Sequence, residues 1–341
     1  MNKFLPVLSS AILFSYSLFA PPALSQQPLP EGRSGLAAKH PGDRAIESDA
    51  AVVFADGFDA ESVEEVAERW GQVSNATILS LSDDVPPDGR GGKSLLFTHV
   101  GGRNVGGHLY RPLQPGHERL YYRFYVKFDE KCWPIHHFFS VGGYNPSTAW
   151  PQGGAGERPR GDERFTVAIE PNGEQWRWDY YTYWKDMRGS PPRGHFWGNS
   201  FIRNDSTKVQ LGRWTCVETM VSLNQLGHSD GEVALWIDGA LVSHVGAGFP
   251  NGVWEFGNFT PGIGGMGRRW DDAAGRSTEE LTPEGGSPFG GFEWRTDPAL
   301  DLNFLWLLVY ITEAPRGHVS KVWFDNIVVA QEYIGPIEPQ G

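Results

Sequence analysis

The chain is predicted to be all-β, a β-sandwich or jelly roll of two antiparallel sheets. Three observations carry this. From residue 51 onward, apolar and polar residues alternate with period two, the pattern of half-buried strands. The chain holds 43 Gly and 25 Pro in 341 residues, which punctuates those strands with turns. Helical spacing occurs only in SVEEVAERW, residues 62 to 70. Many strands without intervening helices pack sheet on sheet.

Clear strands are expected at 121–128 (YYRFYVKF), 164–170 (RFTVAIE), 214–223, 232–237, 303–311 and 321–330. Asp238-Gly239 lies between EVALWI and ALVSHV. It signals a two-residue type I′ hairpin, whose central positions both need positive φ. Residues 51 to 341 read as one domain with no internal repeat. Three Gly/Pro-rich connections, 142–163, 186–200 and 257–299, are long for a compact domain and are expected to flank a cleft. The third carries GRRWDD, making Trp270 a candidate substrate contact.

The N-terminus reads as a secretory signal. Lys3 is followed by the apolar run 4–20 and a small-residue cleavage site after Ser25. Residues 26 to 50 are polar and Pro/Gly-rich, and are expected to be a flexible leader. The mature protein is then secreted or periplasmic, with no membrane contact. Losing Lys3 moves the formal charge from −12 to −13, which argues against nucleic acid as a partner. The two cysteines, Cys132 and Cys216, are expected to pair if they lie on neighbouring strands. The other reading is two separate buried thiols.

Alternation also assigns faces. In WRWDYYTYW, Trp176, Trp178, Tyr180, Thr182 and Trp184 share the core face. Arg177, Asp179, Tyr181 and Tyr183 share the other, which mixes charges and phenols unsuited to a core. In RFTVAIE, Thr166, Ala168 and Glu170 point outward. In YYRFYVKF the outward set is Tyr121, Arg123, Tyr125 and Lys127. Tyr, Arg and Glu recurring on outward faces suggest a ligand cleft. His136 and His137, adjacent before a Gly-rich loop, point to opposite faces of a regular strand. One of them is expected to face the cleft, and alternation does not choose between them.

The succession YYRFYVKF, HHFFSVGG, RFTVAIE, DYYTYW, WTCVETMVSLN and DGEVALWIDG resembles secreted proteins of the concanavalin A-like jelly-roll superfamily, across about residues 51 to 335. Within it the chain is most similar to polysaccharide lyases of the alginate and glucuronan lyase type. The resemblance implies that a Tyr-x-Tyr strand supplies acid/base phenols, here Tyr181 and Tyr183. It places a family lysine near His137, where this chain has His-Phe-Phe. It places a Ser-x-Arg strand motif on Thr166 and Ala168, where no Arg occurs. ADGFD and WFDNIVVA resemble terminal strands that hold a structural calcium, which implies Asp56, Asp59 and Asp325 as oxygen ligands. No organic cofactor is implied, and a monomer is expected.

The leading expectation is a lyase that cleaves a uronic-acid polysaccharide by β-elimination. That reaction needs a group to offset the carboxylate, a base and an acid. The candidates are Tyr181 and Tyr183 for acid/base work and Arg123, Arg177, His136 or His137 for the carboxylate. Asp179, Glu170, Tyr125, Thr166 and Trp270 are candidate substrate contacts. Two alternatives remain. One is a glycoside hydrolase with Glu170 and Asp179 as its carboxylate pair. The other is a non-catalytic carbohydrate-binding protein using exposed rings as platforms.

Overall fold

The computed structural model describes residues 28–339 apart from Arg90 and Asn204. The expected signal, residues 1–25, lies outside the described residues. In chain order the elements are β1 (Val52–Asp56), α1 (Val63–Glu68), β2 (Gln72–Ser74), β3 (Leu79–Ser82), β4 (Ser94–Val100), β5 (Gly106–His117) and β6 (Arg119–Phe128). Then come β7 (Phe139–Tyr144), β8 (Arg164–Glu170), β9 (Asp179–Tyr183), β10 (Thr215–Ser222), β11 (Glu232–Ile237) and β12 (Ala240–Val245). The chain closes with β13 (Asn251–Glu255), β14 (Asn258–Pro261), β15 (Gly265–Asp271), β16 (Arg276–Thr282), β17 (Ser287–Pro288), β18 (Leu302–Tyr310) and β19 (Val319–Ala330).

These strands form a jelly-roll sandwich of two antiparallel sheets. The back sheet runs β12-β11-β10-β6-β19-β4-β3, with β1 on β19; the front sheet runs β2-β5-β18-β7-β8-β9. Between them lies one large apolar core. Phe124 of the back sheet stacks on Phe139 of the front sheet at 4.2 Å between centroids, and Phe138 stacks on Phe324 at 5.2 Å. The alternation seen in RFTVAIE is realised, with Phe165, Val167 and Ile169 fully buried in this core. The Asp238-Gly239 turn joins β11 to β12 with φ of 51° and 82°, as the hairpin signal requires. Ser62 caps α1, its hydroxyl accepting from Glu65 N at 3.2 Å.

Three expectations are corrected. Residues 28–50 of the segment read as a flexible leader pack on the outer face of the back sheet. Leu36, Ala37 and Ile46 are buried there with Trp236, Met220, Tyr121 and Ile334. Trp236 Nε1 donates to Pro30 O at 2.8 Å, and the backbone of 36–37 pairs with Tyr333 and Ile334. Gly35 permits that approach, since a β-carbon there would sit 2.4 Å from Ile334 O. The polar composition of the segment concealed the few apolar residues that anchor it.

Residues 257–299, expected as a connection flanking the cleft, contribute no residue to its lining. Together with β13 they form a third sheet in the order β14-β13-β15-β16, with β17 on β13. Phe292 and Trp294 return into the main core, stacked at 4.2 Å.

Cys132 and Cys216 are both free and buried. They lie on opposite sides of the back sheet, Cys132 in the main core and Cys216 with Tyr125 and Ile337 on the outer face. A disulfide needs Cα atoms within about 7 Å and facing side chains, which this placement does not provide.

Candidate functional site

The outer face of the front sheet carries a pocket of about 220 Å³ lined by His137, Arg164, Glu170, Tyr181, Tyr183 and Trp306, among others. Register brings them together. Ala168 pairs with Tyr181 and Thr166 with Tyr183 across β8 and β9, while Ser140 of β7 pairs with Ala168. The small residues Ser140, Thr166 and Ala168 form the floor, and the phenols stand at its edge. Gly198 lies flat on the Tyr181 ring, where a β-carbon would come within 2.5 Å. The 145–157 loop forms one wall through Gln152 to Ala155. It is tied to the 186–200 loop by Phe196 N donating to Gly156 O at 3.2 Å. Two of the three long connections therefore do flank the cleft.

The hydroxyls of Tyr181 and Tyr183 are 3.3 Å apart, and Gly156 N points at the Tyr183 hydroxyl at 3.5 Å. Burial pushes the Tyr181 phenol well above its ordinary pKa, and Tyr183 beside it adds to the rise. Tyr181 therefore holds its proton at neutral pH.

The histidine pair is resolved by a kink. The backbone N–H groups of His136 and His137 both point at Tyr310 O, at 2.8 and 3.3 Å, and Phe138 and Phe139 both enter the core. Strict alternation thus fails here. His137 faces the pocket, its ring parallel to that of Tyr310 and 5.2 Å from that of Tyr181. His136 is exposed, packing edge-on to Tyr310. Desolvation, followed by the charge of His137, lowers the His136 pKa.

His137 Nδ1 is 2.9 Å from Glu170 Oε1. Glu170 is buried; desolvation raises its pKa, while the hydrogen bond from His137 works the other way. With Glu170 ionised its oxygen can only accept, so Nδ1 carries the proton of this contact and Nε2 is left for a substrate. Glu170 thus lines the pocket as the partner of His137.

Several candidates lie elsewhere. Arg123 is fully buried on the outer face of the back sheet, in an ion pair with Asp43. Tyr125 sits beside it with its hydroxyl accepting from Ile337 N at 2.9 Å. The terminal segments cover both, so neither reaches the cleft. Asp179 is buried too. Its carboxylate accepts from the backbone N–H groups of Tyr180, Phe201, Ile202 and Arg203 at 2.8 to 3.0 Å, fastening the 199–203 segment to β9. Arg177 precedes β9, with its guanidinium 3.8 Å from Asp205. Trp270 is in β15, packed against Gly194, outside the pocket.

A calcium site does not fit the residues present. Asp56 accepts from Phe58 N, Trp70 Nε1 and the Arg69 guanidinium at 2.8 to 3.2 Å. The cation it faces is an arginine. Asp59 accepts from Lys93 N at 2.9 Å, and Asp325 from Asn326 N at 2.7 Å. Among the described residues no three His, Cys, Asp or Glu side chains converge for a metal.

Sequence reasoning missed Arg164. It is the first residue of RFTVAIE and shares the outward face with Thr166 and Glu170. Its guanidinium lies over the Tyr183 ring at 5.9 Å and donates to the Gly154 and Glu157 carbonyls at 3.3 and 3.0 Å. The strand does carry an arginine on its polar face, four residues before Ala168, the position where the family motif seeks it. The signal was parity alone.

No protein-family model and no curated protein matches the sequence. Among solved structures the fold is similar to alginate lyase Aly36B, a variant in complex with alginate tetrasaccharide. That likeness has 13% identity, covers 83% of this chain and 98% of that one, and has a TM-score of 0.50. It is also similar to the marine alginate lyase of Aplysia kurodai, with 11% identity, 82% and 99% coverage, and a TM-score of 0.50. At these identities the likeness is one of fold.

Proposed function

We propose that this protein is a polysaccharide lyase that cleaves a uronic-acid glycan by β-elimination. One observation carries the reading: the pocket brings two hydroxyl-paired phenols, one histidine with a fixed tautomer and one arginine around a small-residue floor. Arg164 binds the uronate carboxylate and offsets the charge that develops as the adjacent carbon ionises. His137 Nε2 takes the proton from that carbon. The bond from the next carbon to the glycosidic oxygen breaks, a carbon–carbon double bond forms, and Tyr181 protonates the departing oxygen. Tyr183 positions the Tyr181 hydroxyl and closes the proton path.

The solved structures of similar fold that are named alginate lyases support the substrate class, a uronan, without identifying which one. The hydrolase alternative loses its pair, because Asp179 is engaged by four backbone donors and Glu170 is the one carboxylate lining the pocket among the described residues. Inverting or retaining hydrolysis needs two.

A panel of uronans and neutral glycans, assayed without added cofactor, tests the proposal. Ultraviolet absorbance from an unsaturated product, rising in step with new reducing ends, supports it. Reducing ends without that absorbance exclude elimination.

A further inference from the structure

The outer face of the front sheet continues past the pocket across β18 to β5. Trp306, Leu308 and Tyr310 alternate on this face of β18, and all three are half-buried. Trp306 pairs in register with Tyr110, and Leu308 with His108. Neighbouring strands lie about 4.8 Å apart, so the four steps from β9 to β5 span roughly 19 Å. That is longer than a single sugar ring, so a chain seated on Tyr181 continues over β18.

Two facts single out Trp306. It lines the pocket, yet its Nε1 is shielded from solvent and has no acceptor within the protein. A shielded indole N–H ordinarily finds a partner. Trp184 and Trp294 also have Nε1 atoms without acceptors, but their rings are sealed in the core among Phe289 and Phe292. His108 packs edge-on to Trp306 at 5.6 Å and 90°, and its Nε2 lies 3.4 Å from Gln72 Oε1. The indole plane is thus held from the side away from the pocket. Phe304, two residues earlier on the same face, is stacked between Tyr110 and Tyr144. The aromatic ridge is closed at Phe304 and open at Trp306.

We propose that Trp306, braced by His108, is a sugar-binding subsite next to the catalytic pocket. Its ring carries the apolar face of the glycan residue neighbouring the one that reacts, and on seating the indole tips so that Nε1–H, shielded and unpartnered in the free protein, donates to an oxygen of that sugar. The acidic chemistry of the ligand rests on the lyase reading; the subsite itself rests on the geometry of β18 and β5. The consequence is a preference for oligosaccharides long enough to reach β18.

The test is calorimetric binding of alginate, glucuronan and cello-oligosaccharides of two, four and six residues. The proteins are a Tyr181→Phe background, which slows turnover, and the same background carrying Trp306→Phe or Trp306→Ala. Trp306→Phe keeps a packed ring and removes the donor. It is expected to weaken hexasaccharide binding about fivefold and disaccharide binding less. Trp306→Ala weakens it further. Unchanged hexasaccharide affinity in Trp306→Phe, equal losses at all lengths, or no binding of any oligosaccharide by the background protein overturns the subsite. Trp306-dependent binding of cello-oligosaccharides by a protein that never yields unsaturated product keeps the subsite and removes the lyase reading. Elimination by the native protein with Trp306-independent binding does the reverse.

Discussion

Glu170 Oε1 accepts a hydrogen bond from His137 Nδ1 at 2.9 Å, linking the end of β8 to the kink before β7. The contact fixes both the orientation and the tautomer of the one histidine in the pocket. In the proposed mechanism Glu170 is a positioning residue, acting through His137.

Glu170→Gln is expected to lower kcat by on the order of 10²–10⁴, as loss of a charged orienting partner does elsewhere, with KM little changed. The nitrogen resonances of His137 report the cause. In the native protein they are expected to show a proton on Nδ1, and in the variant a mixture of tautomers. An unaltered tautomer alongside lost activity would reassign Glu170 to direct substrate contact.

Tyr181→Phe removes the proton donor to the leaving oxygen and is expected to reduce kcat by about 10²–10⁴. Tyr183→Phe is expected to reduce it less, since its hydroxyl acts through that of Tyr181. Both rings stay packed, so melting temperatures remain close to native. Equal and small losses in the two variants would remove the acid role from this pair.

Asp43 and Arg123 join the N-terminal segment to the back sheet in a buried ion pair. Asp43→Ala leaves a guanidinium buried without its carboxylate and is expected to cost about 3–5 kcal/mol, measured by chemical denaturation. A loss under 1 kcal/mol would mean that the segment is held by its apolar contacts alone.

Glu218, beside Arg123 on the outer face of the back sheet, is buried, and desolvation pushes its pKa up to about 7. A carboxyl raised in the folded state binds its proton there while the unfolded chain has already released it. This contribution to stability is therefore greatest below the ordinary carboxyl pKa near 4.5 and falls as pH rises toward about 7. Its carboxylate accepts from Ile334 N and Gly335 N, and these bonds favour the charged form, working against the rise that desolvation causes. Glu218→Gln is expected to flatten the pH dependence of thermal stability across that window. An unchanged slope would place the titration elsewhere.

Legibility followed how local each signal was. Of the expected core set, Trp178, Tyr180, Thr182 and Trp184 are buried and Trp176 is half-buried against the core, and this was readable because alternation is a property of a single strand. Tyr181 and Tyr183 were readable for the same reason. The equal parity of Arg123 and Tyr125 in YYRFYVKF looked just as chemical, yet that face is covered by residues 28–50 and the C-terminal segment. Trp306 escaped because β18 is apolar on both faces, so alternation carries no contrast there. Asp179 misled because an outward carboxylate reads the same whether it meets solvent or four backbone donors.

What the sequence by itself determined was the strands, the Asp238-Gly239 turn, the short capped helix and the side of each strand its residues take. These follow from backbone geometry within a few residues. What only the tertiary structure decided was which polar face became a cleft and which was sealed, that His137 rather than His136 enters it, that Arg164 lines it, and that the cysteines stay apart. Each depends on the register and packing of segments far apart in the chain, and no local period encodes those.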